Sequence, residues 1–134
     1  MWSELVTRCQ AERIIIIAHS YGGVVTQSLT SHAGLGPEVR SRVASVLFTD
    51  SVHYGAAKWL RSVARNYVTS DEPVGTPLDR GRGDVPLFSA GHTKHEWTSW
   101  AAMDMIFADM DRAMERDNNQ GNGAAEKINK KEEL

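Results

Sequence analysis

The stretch Ile14 to Gly23, Ile-Ile-Ile-Ile-Ala-His-Ser-Tyr-Gly-Gly, constrains this chain more than any other. Four consecutive isoleucines predict a strand covered on both faces, because β-branched side chains suit a buried pleat. The run ends at Ala18. His19, Ser20, Tyr21, Gly22 and Gly23 follow, and then an apolar stretch with helical spacing. Strand, sharp bend with a central serine, small residues on either side, then helix is the layout of a nucleophile elbow, Gly-x-Ser-x-Gly with Ala18 in the first glycine position. In such a bend the serine is strained, and its hydroxyl stands above the sheet edge instead of packing. Ala18 is small enough for the helix to fold back over the strand. Gly22 carries no Cβ to obstruct that approach. The helix N-terminus would bring the Tyr21 backbone N–H to the serine as an oxyanion donor. The competing reading is an ordinary strand–turn–helix that contains a serine.

At 134 residues the chain is long enough for one domain with a core. With a hydrophobic fraction of 41%, charged residues at 24% and a formal net charge of -2, no basic excess points to nucleic acid. The single cysteine, Cys9, cannot close an internal disulfide and is expected in the core. The sequence has no stretch of transmembrane length and no charged-then-apolar signal peptide at its start. Only 13 residues precede the isoleucine strand. An elbow hydrolase has several strands before its serine, so the expectation is a C-terminal piece of a longer protein.

In chain order, Trp2, Leu5, Val6 and Cys9 predict a helix over Trp2 to Ala11. The strand follows at Arg13 to Ala18, then a helix from Gly22 to about Ser31. One helical turn is expected over Pro37 to Arg42. Val43 to Thr49 reads as a second strand, Gly55 to Asn66 as a helix, and Tyr67 to Ser70 as a short third strand. Residues 73 to 84 read as a loop. Val85 to Ala90 is a fourth strand, at or near an edge because Pro86 has no N–H to give a ladder. Glu96 to Arg116 is a final helix whose stripe, Trp100, Met103, Phe107, Met110 and Met114 with Ile106 beside it, should cover one face of the sheet. From Asp117 on, the composition predicts a disordered tail. That tail ends Lys131-Glu132-Glu133-Leu134, either a variant of a lumenal retention signal or a charged tail that happens to end in leucine.

This alternation predicts an α/β fold: a three-layer, α/β-hydrolase-like, mostly parallel sheet with a nucleophile elbow, its N-terminal strands missing. In elbow hydrolases the chain order is serine, acid, histidine. Ser20 comes first. His92 and His95 follow the last strand, and either imidazole could take the serine proton, with His95 favoured. Three acids could orient it: Asp50 after the second strand, and Asp71 or Glu72 after the third. Each has a plainer alternative, such as a turn cap for Asp50 or simple solvation for Glu72. His19 is expected to shape the elbow, and His53 to enter a helix or to pack. Arg82-Gly83-Asp84 is read as a chance tripeptide, and Arg80 and Arg82 as solvated. The histidines and Cys9 have no metal-ligand spacing, so neither metal nor cofactor is expected.

Three strings carry a resemblance: Ile17-Ala18-His19-Ser20-Tyr21-Gly22-Gly23, Phe48-Thr49-Asp50-Ser51-Val52-His53, and Ser89-Ala90-Gly91 through His95-Glu96-Trp97-Thr98-Ser99-Trp100. Together, over roughly residues 1 to 116, they resemble the C-terminal half of the argonaute-binding (Arb-type) domain family, whose animal members are called cotranscriptional regulators. The resemblance implies an α/β-hydrolase-like fold. It implies argonaute, chromatin and splicing proteins as partners, in small-RNA-directed silencing and alternative splicing, in nucleus and cytoplasm. Some members carry a retention-like C-terminus. By family pattern Ser20 maps to the nucleophile, His95 becomes the favoured base, and Asp50 stands at least equal to Glu72 as the acid.

Overall fold

A computed structural model describes residues 1–79 and 84–116. A π-helical turn at Trp2–Val6 opens the chain. Strand β1 is Ile14–His19 and helix α1 is Gly22–Ser31. Helix α2, Gly36–Arg42, runs straight into strand β2, Val43–Thr49. Helix α3 is Lys58–Val63 and strand β3 is Ala64–Val68. Strands β4, Pro77–Leu78, and β5, Leu87–Ser89, complete the sheet. A 3-10 turn at His95–Trp97 leads into α4, Thr98–Ala101, and then α5, residues 103–116.

The chain is a mixed α/β protein whose five strands lie in the order β1-β2-β3-β5-β4. β1, β2, β3 and β5 are parallel, and β4 runs antiparallel to β5. Pro77 fits this outermost strand, where a missing N–H costs no ladder bond. One face of the sheet packs Val43, Val46, Phe48 and Ala64 against Leu29, Val39 and Leu60 of α1, α2 and α3. The other packs Leu47, Tyr67 and Ala90 against Ala102 and Ile106. β2 is the centre of the core: Val46, Leu47 and Phe48 are fully buried, as suits a parallel strand covered on both sides.

Several expectations are corrected. β1 has the composition of an interior strand, but among the described residues it pairs with β2 alone, and Ile17 is 51% exposed. The first helix stops at Val6 instead of Ala11. The carbonyls beyond it are claimed by Arg42, whose guanidinium donates to Val6, Cys9 and Ala11. Cys9 is exposed, not in the core. α3 ends at Val63 because Ala64 to Tyr67 join β2 edge to edge, and Asn66 turns its amide onto the Ser51 backbone. β3 therefore starts three residues earlier than the pattern predicts and β5 is shorter. The predicted loop holds β4.

The last helix breaks at Ala102, and its inward face is not the one expected. Ala102, Ile106 and Asp109 are buried, with Met105 and Met110 beside them. Trp100, Met103, Phe107 and Met114 face outward. Period alone could not tell these neighbouring stripes apart, since both are rich in apolar residues. Arg80, Arg82 and Gly83, and the tail from Asp117 with its Lys-Glu-Glu-Leu ending, lie outside the described residues.

Candidate functional site

Two non-glycine residues with positive φ stand among the described residues, and both end a strand at the same edge of the sheet. They are Ser20 after β1, φ 52°, and Asp50 after β2, φ 44°. This left-handed region is costly for residues with a Cβ and persists only where the surroundings enforce it. Ser20 N–H donates to Thr49 O at 3.0 Å, and Ser20 O accepts from Val52 N–H at 2.9 Å. Asp50 N–H donates to Tyr67 O at 2.7 Å. Main-chain bonds between adjacent strand ends therefore hold both bends.

The approach of α1 to β1 is close. A Cβ on Gly22 would stand 3.1 Å from Ala18 Cβ, so the small residue two before the serine faces the helix start. Gly23 is tighter still. Its Cβ would fall 1.7 Å from Ser51 Oγ and 2.7 Å from Val52 O. The sequence pattern points to Gly22, whereas the packing makes Gly23 the stricter position.

His95 opens the 3-10 turn beyond β5 and reaches back to Asp50, with Nδ1 2.6 Å from Asp50 Oδ2. An ionised carboxylate only accepts, so Nδ1 carries the proton, and in a neutral imidazole the lone pair is then on Nε2. The second carboxylate oxygen accepts from Thr69 N–H at 3.3 Å, just past the end of β3, which orients the acid from that side as well. The His95 ring lies 4.5 Å from the His19 ring, centre to centre. His19 Nδ1 is in turn 3.1 Å from Thr49 Oγ1, which is 2.7 Å from Ser99 Oγ. This hydroxyl network ties the ends of β1 and β2 to α4. The signals for Ser99 and for its partner Thr49 were both present in the strings that carry His95 and Asp50, but nothing in the residues themselves pointed to a bond between them.

The other candidates lie apart. His92 accepts from Lys94 N–H through Nδ1 at 3.0 Å and stacks on Trp97. Asp71 and Glu72 are exposed after β3. Glu72 is held by its main chain, N–H to Ser70 Oγ and carbonyl from Ser89 Oγ. Of the three acids, Asp50 is the one brought to His95. Tyr21 is the N-cap residue of α1, immediately after Ser20.

His53 belongs to a separate group beneath the site. Its Nδ1 is 3.2 Å from Ser51 Oγ, its Nε2 is 3.5 Å from Asp84 Oδ1, and its ring stacks on Phe48. Burial pushes the His53 imidazole below its usual range, and the Asp84 carboxylate opposes that shift. Among the described residues, no three or more His, Cys, Asp or Glu side chains converge as a metal site would require. No helix among them is long and apolar enough to cross a membrane.

The site and sheet define an α/β protein with a strained serine at one strand end and an Asp–His pair at the next. The Arb2 domain family model matches residues 1–74, and the chain belongs to that family. It is 36% identical over 126 residues to the cotranscriptional regulator ARB2A homolog of Xenopus tropicalis, covering 88% of this chain and 29% of that protein. It is 35% identical over 115 residues to human cotranscriptional regulator ARB2A, 80% and 27% of the two chains. The Dictyostelium discoideum homolog is 33% identical over 117 residues, 80% and 30%. The chain thus spans under a third of the length of these relatives. No solved structure matches it.

Proposed function

We propose that this chain carries the catalytic edge of an α/β-hydrolase-like serine hydrolase, active on an ester or thioester, within a nuclear cotranscriptional regulator. The observation that carries the chemistry is the 2.6 Å contact of His95 Nδ1 with Asp50, at the sheet edge where Ser20 is held at positive φ. Ser20 Oγ attacks the acyl carbonyl while His95 Nε2 takes its proton. Asp50 holds the imidazole in the required tautomer and stabilises the imidazolium. The backbone N–H of Tyr21, at the start of a ten-residue helix, supports the oxyanion. The imidazolium returns its proton to the leaving alcohol or thiol, and water releases the acyl group by the same route.

The relatives' name, cotranscriptional regulator, supports a regulatory role in the nucleus, while argonaute and chromatin or splicing proteins as partners, in silencing and alternative splicing, rest on the family resemblance alone. In a second reading the elbow is inherited geometry and the domain is a docking scaffold. That reading is favoured by the exposed aromatic side chains of Tyr21, Tyr54, Trp97 and Trp100. Fold alone does not separate the two. A fluorophosphonate probe does. Labelling that disappears in Ser20→Ala and in His95→Ala supports the hydrolase. An unlabelled, folded protein whose argonaute pull-down survives Ser20→Ala supports the scaffold.

A further inference from the structure

The bend at Ser20 leads straight into α1, and both are seated by the segment 51–54 that follows β2. Val52 N–H donates to Ser20 O at 2.9 Å. Ser51 Oγ fills the space beneath Gly23, 1.7 Å from where a Cβ on that residue would stand. One turn further along the helix, the Gln27 side chain bridges the Tyr54 main chain in both directions. Its Nε2 donates to Tyr54 O at 2.5 Å, and its Oε1 accepts from Tyr54 N–H at 3.3 Å. The segment is therefore a clamp on α1. Asn66 of β3 fixes its start, with Oδ1 accepting from Ser51 N–H at 3.2 Å.

The other anchor of the clamp is His53. Its side chain is only 5% exposed, whereas the next residue, Tyr54, stands out in solvent. The ring lies on Phe48, 5.0 Å centre to centre. Burying a polar ring is costly unless its nitrogens have partners. Here Nδ1 is 3.2 Å from Ser51 Oγ and Nε2 is 3.5 Å from Asp84 Oδ1. An ionised carboxylate only accepts, which favours the proton on Nε2 and leaves Nδ1 to accept from the Ser51 hydroxyl. Ser51 is then held by its main chain from β3 and by its side chain from His53. A second ring proton makes Nδ1 a donor as well. It reverses the bond, and the Ser51 O–H must turn away from the ring. Among the described residues, Asp84 is the one charged group that acts on this ring.

We infer that His53 is a positioning residue for Ser20: it anchors the clamp, and through Ser51 it sets where the bend and the first turn of α1 stand. His53 acts through Gly23 and Val52 and not on a substrate. The catalytic consequence rests on the reading of Ser20 as a nucleophile. The mechanical link from His53 to the bend does not.

Two measurements on the full chain keep these apart. The first is an NMR titration of the backbone amides and histidine rings from about pH 8 to about pH 5. The Gly23 and Val52 amide signals should move with the same midpoint as the His53 ring, below about pH 6.5. Asp84→Asn leaves the residues of the elbow and clamp intact and should lower that shared midpoint further, because the carboxylate that favours the charged ring is gone. Neither arm requires a substitution in the core. The second is the rate of fluorophosphonate labelling at about pH 8, where His53 is neutral. Ser51→Ala and His53→Phe should each slow it about ten- to a hundredfold, since a small misplacement of a nucleophile is costly. The double variant should be no slower than the slower single one, because the two residues act as a unit. A wild-type chain that never labels removes the hydrolase reading, and the titration then decides the positioning role. Gly23 and Val52 signals that ignore the His53 midpoint, a shared midpoint unmoved in Asp84→Asn, or single variants that label at the wild-type rate would each overturn the inference.

Discussion

Each end of the sheet holds an aspartate against a cation or proton carrier, and the two are fixed by different means. Asp109, at the end where the strands begin, is buried and held by three side chains from two elements, Arg65 and Tyr67 of β3 and Arg112 of its own helix. Asp50, at the end where they finish, is partly exposed. It is held by its own strained backbone and two contacts, Thr69 N–H and His95. The first arrangement secures a carboxylate by satisfying it. The second secures one by over-determining the main chain and leaves the side chain free to work with an imidazole that is 47% exposed. A buried acid is thus part of the fold, whereas the acid on the strained bend can be removed with little harm to it.

That contrast can be broken most directly at Asp109. Asp109→Ala leaves the buried Tyr67 hydroxyl without its acceptor and two part-exposed arginines without their partner, and should cost about 1–3 kcal/mol in denaturant unfolding. If the loss is below about 1 kcal/mol, the cluster is not part of the folding core. Next comes Gly23→Ala, which forces a methyl group into Ser51 and Val52 O. It should cost about 1–3 kcal/mol and reduce probe labelling of Ser20, because the helix must back away from the strand.

Asp50→Asn sharpens the comparison. It should change stability by about 1 kcal/mol or less, while probe labelling falls on the order of 10⁴-fold if the imidazole tautomer depends on this acid. Loss of both in equal measure would make Asp50 a structural residue like Asp109.

The smallest effect concerns pH. His53 has a depressed folded-state pKa, so the unfolded chain binds the extra proton more readily. Its contribution to stability should be complete above about pH 6.5 and fall away as the pH drops below that value. His53→Phe, which keeps the stack on Phe48, should flatten that limb of a melting-temperature profile.

The strand–bend–helix at Ser20 was legible because it depends on local chemistry: β-branched residues, a small residue, a serine and glycines in sequence. The end of β2 was legible for the same reason, as an apolar run closed by a polar cluster. What could not be read depends on distant partners. Ala64 to Tyr67 has a helical look, and joins the sheet only because β2 offers it a ladder and Ser51 bonds Asn66. The inward stripe of α5 was misplaced because Asp109 looks like a surface residue until Tyr67, Arg65 and Arg112 surround it. Among the candidate acids, Asp50, Asp71 and Glu72 each follow a strand. What brings Asp50 to His95 is a backbone bend that no propensity predicts for aspartate in this setting.

The position of β1 has a practical consequence. Its outer margin is flanked by an apolar groove of about 540 Å3 bordered by Trp2, Val6, Ile16, Val25 and Leu29. An open isoleucine ladder of this kind invites a neighbouring molecule to add its own strand, the usual first step of clumping. Assays on the isolated chain should therefore be repeated across a dilution series. A signal that fades on dilution would then report sticking between copies, and one that persists would report the chemistry of Ser20 itself.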